Sequence, residues 1–127
     1  MHWIAPKGEA QDHIGVFAVT SGYGCVEKAK EYEAKNDDYS SIMVKAIGDR
    51  VAEALAEWAH VEFRKIMGSQ EKFSLDELLE EKYQGIRPAP GYASCPDHLL
   101  KADIWKALGG NDAIGAKLTE TLSMEPA

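Results

Sequence analysis

One segment, from Asp38 or Ser41 to about Met67, constrains the fold most because it is predicted to form a single long helix. It contains no proline, and its apolar residues recur at steps of three and four, the pattern of one buried helical face. Asn36-Asp37-Asp38 offers side chains that cap a helix start, and Gly68 is typical of a helix end. The predicted buried stripe consists of Val44, Ile47, Val51, Leu55, Trp58 and Val61.

The other predicted elements are short, and the two strands among them lie at opposite ends of the chain. A two-stranded sheet is marginal in water, so either a second copy completes the sheet or the chain is a piece of a larger domain. The predicted elements besides the long helix are a buried strand at Ile14–Val19, a helix at about Val26–Ala34, a short helix from the capping box at Ser74 to about Lys82, a helix from Pro96 to Gly109-Gly110, and a strand at Lys117–Met124.

The composition is that of one ordinary globular domain, with 127 residues, 45% hydrophobic and 28% charged. The 21 acidic residues against 14 basic ones argue against nucleic-acid binding and against docking on an anionic membrane. No apolar stretch is long enough to span a bilayer, and Met1-His2-Trp3 does not begin a signal peptide. Cys25 and Cys95 lack the spacing of a disulfide framework or a zinc site, which favours a reducing, cytoplasmic setting.

A line of polar residues on the long helix has two interpretations. Glu53, Glu57, His60 and Arg64 follow one another at steps of four, three and four, so they share one face. The commoner interpretation is a solvated face with paired charges. The Glu57-x-x-His60 spacing also occurs in di-iron sites, but such a site needs a second motif, which the chain lacks. No nucleophile elbow or phosphate loop is present, and Cys95 with His98 fits a helix start better than a catalytic pair.

The segment from Arg87 to Tyr92 carries chemistry that a plain turn does not need. Its prolines reduce the entropy lost on ordering, and its glycine lets backbone approach a ligand closely. The guanidinium of Arg87 suits a carboxylate or phosphate, while Tyr92 offers an aromatic face to a cation. A zwitterionic or cationic small ligand and a simple proline-rich surface turn are about equally compatible with these residues.

At this segment the sequence resembles a known family, the activation domain of cobalamin-dependent methionine synthase. The resemblance is carried by Lys82–Tyr92, which contains Arg-Pro-Ala-Pro-Gly-Tyr, and by Cys95-Pro96-Asp97-His98. Further matching segments follow in family order over nearly the whole chain; they are Ile14–Thr20, Asp37–Tyr39, Ile42–Ala46, Asp49–Ala54 and Lys117–Glu120.

The resemblance implies an α+β fold with an antiparallel sheet, one long helix and several short ones, as a single, incomplete version of the family domain over residues 1–127. It implies binding of S-adenosylmethionine and support of the reductive methylation of cob(II)alamin. The cobalamin would be held by a partner module of methionine synthase, and a flavodoxin-like protein would donate the electron. The chain alone is not expected to be a complete enzyme of methionine biosynthesis.

The resemblance also implies a set of ligand-binding residues, with no catalytic residue and no metal ligand. Arg87 would hold the methionine carboxylate, Ala89 and Gly91 would place backbone against the ligand, and Tyr92 and Glu53 would flank the sulfonium. The family domain is longer at both ends and carries further contacts there. An alternative is therefore a non-catalytic interaction module that has lost the ligand and pairs with a corrinoid protein, a flavodoxin or itself as a homodimer.

Overall fold

The structure is a computed structural model that describes residues 4–110 and 114–126. Met1-His2-Trp3, to which the prediction about a signal peptide refers, lies outside the described residues. The elements in chain order are α1 (Cys25–Glu33), α2 (Asp38–Ile66), α3 (Leu75–Leu79), α4 (Leu100–Ala107), β1 (Lys117–Leu118) and β2 (Met124–Glu125).

Helices α1 and α2 form an antiparallel hairpin that is held together by small residues. Ala29 of α1 is 1% exposed and Ser41 of α2 is 2% exposed, and at Gly48 a Cβ atom would lie 3.3 Å from Cys25 Sγ. The hydroxyl of Ser41 also donates to Glu33 at 2.7 Å. Helix α1 was predicted within one residue of these bounds, and α2 starts at Asp38, the earlier of its two predicted starts, and ends one residue before its predicted end. Caps and periodicity are local properties of the sequence.

The prediction of the buried stripe on α2 is wrong for three of its six residues, while Val44, Leu55 and Val61 are half-buried. Ile47 is 56% exposed, Val51 45% and Trp58 63%, whereas the buried residues of the helix are small or polar. The reason is that α1 approaches closely at Gly48, and only residues without bulk fit such an approach. The large apolar side chains therefore form an exposed stripe on α2, made of Tyr39, Met43, Ile47, Val51 and Trp58.

The predicted strand at Ile14–Val19 is not a strand in the structure. The backbone passes from Ala10 to Thr20 without a turn or bend, but residues 14–19 make no backbone hydrogen bond within the described part of the chain. The segment packs by side chains instead, and the ring of Phe17 lies 5.4 Å from that of Phe63 on α2. A strand requires a hydrogen-bonded neighbour, which its own sequence does not supply.

The predicted C-terminal strand at Lys117–Met124 is a hairpin of two strands. β1 pairs antiparallel with β2, with Leu118 opposite Met124, and a turn at Thr119–Leu122 joins them. The turn is closed by the Thr119 amide, which donates to the Ser123 carbonyl at 2.8 Å. The alternation of the segment was correct, but the turn inside it was missed.

Two further boundaries differ from the sequence predictions. The capping box at Ser74 is present, with reciprocal contacts to Glu77, but α3 ends at Leu79 rather than at about Lys82. The fourth helix begins at Leu100 rather than at Pro96, since the Asp97 side chain accepts from the Leu99 amide just before the first turn. Asp97 therefore organises a turn that precedes the helix.

The fold class is confirmed as α+β, helix-rich with a small antiparallel two-stranded sheet in the described residues. Within residues 4–110 and 114–126, none of the helices combines the length and the apolar character that crossing a bilayer requires.

Substitution of Gly48 tests the close packing of the hairpin. Gly48→Val should lower the free energy of unfolding by about 1–3 kcal/mol, because the added side chain overpacks the contact with Cys25. The matched control is Ala46→Val, which places the same side chain on an exposed part of α2 and should cost less than about 1 kcal/mol. Urea unfolding followed by circular dichroism measures both, and an unchanged midpoint for Gly48→Val would contradict the packing described.

Candidate functional site

A cleft of about 600 Å³ lies between the middle of α2 and the proline-containing loop. Three of its walls are side chains of α2, the loop residues 86–90, and the start of α4. The fourth wall is the segment at residues 13–17. Most of the lining is apolar, and its charged or imidazole side chains are those of His13, His60, Arg64, Arg87 and Asp103.

Arg87 is held in the cleft wall by an ion pair with Glu57 of α2. The Arg87 Nη2 group donates to Glu57 Oε1, and the two side chains are only 28% and 27% exposed. The buried atoms Arg87 Nε and Glu57 Oε2 have no hydrogen-bond partner among the described residues. A half-buried pair of this kind is poorly screened by solvent.

Arg64 lies two helical turns after Glu57 on α2 and contacts the beginning of the same loop. Its Nη1 group donates to the Gln84 carbonyl at 2.7 Å, and its Nη2 group forms an ion pair with Glu71. The guanidinium carbon lies 5.0 Å from the centre of the Tyr83 ring. One side chain of α2 thus connects Glu71 with the backbone at the start of the loop.

His60 lies between these two arginines and is 6% exposed. Its ring meets the Tyr83 ring edge to face at 4.6 Å between centroids. Burial lowers the pKa of His60, and the guanidinium groups of Arg87 and Arg64 lower it further. The imidazole is therefore kept neutral at physiological pH, and its buried Nδ1 has no partner among the described residues.

The far end of the loop is a tight turn that leaves Tyr92 at its tip. The Gly91 amide donates to the Cys95 carbonyl at 2.8 Å, and the Cys95 amide donates to the Tyr92 carbonyl at 2.9 Å. Gly91 has a φ of 104°, and a Cβ there would lie 2.5 Å from the His98 ring. Glycine is required at this position both for its backbone angle and for the close approach of the imidazole.

The structure brings some of the predicted site residues together and leaves others apart. Arg87 and Ala89 line the cleft. Tyr92 is 71% exposed and is not among the residues that line the cleft. Glu53 lies one turn before Glu57, outside the lining, and its exposed carboxylate pairs with Arg50 at 2.7 Å.

Three residues of the cleft region, Glu57, His60 and Arg64, were not assigned to the site from the sequence. They were placed correctly on one polar face of the helix, but a solvated face was favoured. The half-buried pairs above show that this face meets the loop. Their helical spacing was the available signal, and the missing information was which segment packs against it. Among the described residues, no group of three or more His, Cys, Asp or Glu side chains is placed to hold a metal ion.

Comparisons with known proteins agree on one family. The family model described as "Vitamin B12 dependent methionine synthase, activation domain" matches residues 1–127. A solved structure, the MetH reactivation domain bound to AdoHcy (S-adenosylhomocysteine), is similar with 48% sequence identity and a TM-score of 0.78. The match covers 84% of this chain and 34% of that one, so the chain spans about a third of the length of the solved relative.

The environment of His60 predicts a pH dependence of stability. The unfolded imidazole takes up a proton near its ordinary pKa of 6.5, whereas the folded one resists protonation. Stability should therefore fall as the pH drops below about 6.5, since the unfolded state binds more protons there.

The measurement compares the free energy of unfolding at pH about 7.5 and about 5.5, the range in which histidine titrates. In His60→Gln the difference between the two values should shrink. In His13→Gln, which removes an exposed imidazole, the difference should stay as in the wild type. An equal difference in wild type and His60→Gln would refute the assignment.

Proposed function

Because the chain belongs to the activation-domain family of vitamin B12-dependent methionine synthase, we propose that it binds S-adenosylmethionine and supports the reductive methylation of cob(II)alamin. The observation that carries this proposal is the 48% identity to a reactivation domain that holds AdoHcy. The cleft described above supplies a concave surface beside Arg87 for such a ligand.

The proposed role of Arg87 is to hold the carboxylate of the methionine portion. Its Nη2 group is engaged by Glu57, but Nε has no partner among the described residues. Because Nε is buried, a ligand carboxylate would take up this donor only after the Arg87 side chain shifts toward the cleft. A charge-assisted bond to guanidinium is stronger than a neutral one. Ala89 and Gly91 would contribute backbone contacts along the same loop.

Tyr92 and Glu53 are proposed to flank the sulfonium. Both are exposed and stand outside the cleft, so they suit the end of the ligand that must be presented to a partner. An aromatic face and a carboxylate both stabilise a fixed positive charge, and neither removes the methyl group. The carboxylate end would thus be anchored while the methyl end stays accessible.

The reaction proposed for the assembled system balances in atoms and electrons. Cob(II)alamin held by another module would receive one electron from a flavodoxin-like donor and the methyl group that leaves S-adenosylmethionine when its carbon–sulfur bond breaks. The products are methylcobalamin and S-adenosylhomocysteine. The cobalamin would be held by another module of methionine synthase in the cytoplasm, and this chain, as one domain over residues 1–127, would supply the bound methyl donor to methionine biosynthesis.

A second candidate function is favoured by the exposed stripe on α2. Contiguous exposed apolar surface of this kind marks interaction sites. On this candidate the chain is a non-catalytic module that pairs with a corrinoid protein, with a flavodoxin or with a second copy, and does not bind the methyl donor.

Substitution of Arg87 tests the first candidate. Arg87→Ala should weaken binding of AdoHcy by roughly 10–150-fold, the range for losing one hydrogen bond to a charged group. The matched control is Lys106→Ala, which removes the same charge from an exposed position on α4 and should leave affinity within about twofold. Titration calorimetry measures both. Affinity that survives in a folded Arg87→Ala protein would rule out the carboxylate role.

Light scattering coupled to size exclusion tests the second candidate in its homodimeric form. The wild type should then be a dimer and Trp58→Lys a monomer, because a charge within the stripe cannot be buried without a partner. Leu79→Lys is the matched control, since Leu79 on α3 and Trp58 are both 63% exposed. A monomeric wild type at all protein concentrations would exclude self-association.

A further inference from the structure

We infer that Arg64 is the positioning residue of the ligand loop, here defined as residues 84–92, and that it acts on ligand binding through the placement of Arg87. The inference deepens the proposed function and rests on it for the identity of the ligand. Its structural part, that one side chain of α2 fixes where the loop begins, stands on contacts between described residues.

The first contact is polar and joins three segments at one point. Arg64 donates to the Gln84 carbonyl at 2.7 Å and pairs with Glu71. Glu71 in turn accepts from the Ser69 hydroxyl at 2.9 Å and from the Gln84 amide at 3.4 Å. Both backbone groups of Gln84 are therefore tied to the same ion pair.

The second contact is aromatic and brings the guanidinium of Arg64 against two rings. Its central carbon lies 5.0 Å from the Tyr83 ring centre and 5.6 Å from that of Phe73. Tyr83 also contacts His60, edge to face at 4.6 Å between ring centroids. The Arg64 side chain is only 16% exposed, so these cation–π contacts are partly desolvated and stronger than surface ones.

These contacts affect Arg87 because they hold the chain only three residues before it. Gln84 precedes Arg87 by three residues, and Gly85 between them has a φ of 89°, a sharp change of direction. Glu57 and Arg64 lie seven residues apart on one face of α2, so a single rigid helix holds the loop at Gln84 and again at Arg87. Release of the first point would let the guanidinium of Arg87 leave the cleft wall.

Lysine cannot replace arginine in this role. A guanidinium is planar, donates in two directions at once and stacks on rings, whereas an ammonium is a point charge on a flexible stem. Arg64→Lys therefore keeps the charge near the cleft but loses the fork, which separates positioning from simple electrostatic attraction of an anionic ligand. Glu71→Gln is a second variant that leaves Arg64 intact and removes the negative charge that pairs with it and that also accepts from the Gln84 amide.

The experiment combines amide hydrogen exchange without ligand and calorimetry with AdoHcy. In Arg64→Lys and Glu71→Gln, exchange at Gln84 should accelerate by about tenfold or more, as for one lost charge-assisted contact. Exchange in α1 should be unchanged. Affinity for AdoHcy should fall by roughly tenfold, because the ligand must then supply the free energy that orders the loop. The matched control is Lys65→Gln, a neighbour on α2 that is 61% exposed and pairs with Glu62 away from the loop; neither readout should change.

Hydrogen exchange at Gln84 and affinity for AdoHcy test different parts of the inference. Unchanged exchange at Gln84 in both variants would overturn the positioning role, and so would faster exchange spread evenly over α1 and α2, which indicates general loss of stability. Accelerated exchange with unchanged affinity would show that loop placement does not control the ligand, which also overturns the inference. A wild type that does not bind AdoHcy would overturn the proposed function and with it the ligand part of the inference, while the exchange result would still decide the loop anchoring.

Discussion

The half-buried contact between Arg87 and Glu57 is the interaction on which the architecture of the cleft depends. It joins the loop to the middle of α2, and both partners lose most of their contact with water. Removing either partner would leave an uncompensated charge in a poorly solvated place, which is far more costly than losing an exposed pair. The position of the loop therefore depends on the ion pair between Arg87 and the Glu57 carboxylate of α2.

Helix α2 supplies three different surfaces, and each follows from a different residue type. Small residues such as Gly48 let α1 approach closely. Charged and imidazole groups from Glu57 to Arg64 meet the loop. Large apolar side chains, Trp58 among them, face outward. One helix of 29 residues thus organises the hairpin, the cleft and the exposed stripe.

The two predictions that the structure overturned most clearly share a physical cause. Residues 14–19 have the composition of a strand, and Ile47, Val51 and Trp58 have the spacing of a buried stripe. Both patterns indicate what a segment is able to bury or pair, but neither identifies the segment that would pack against it. Among the described residues that segment is absent, so the strand has no ladder and the stripe stays exposed.

The sequence by itself determined the features that depend on neighbours along the chain. These include the extent of α1 and α2, the capping box at Ser74, and the polar line from Glu53 to Arg64, since caps and helical spacing act within a few residues. Only the tertiary structure decided that Glu57 and Arg64 face the loop while Glu53 faces water. Which side of a helix is covered depends on contacts with residues 20 to 30 positions away, and no local pattern carries that information.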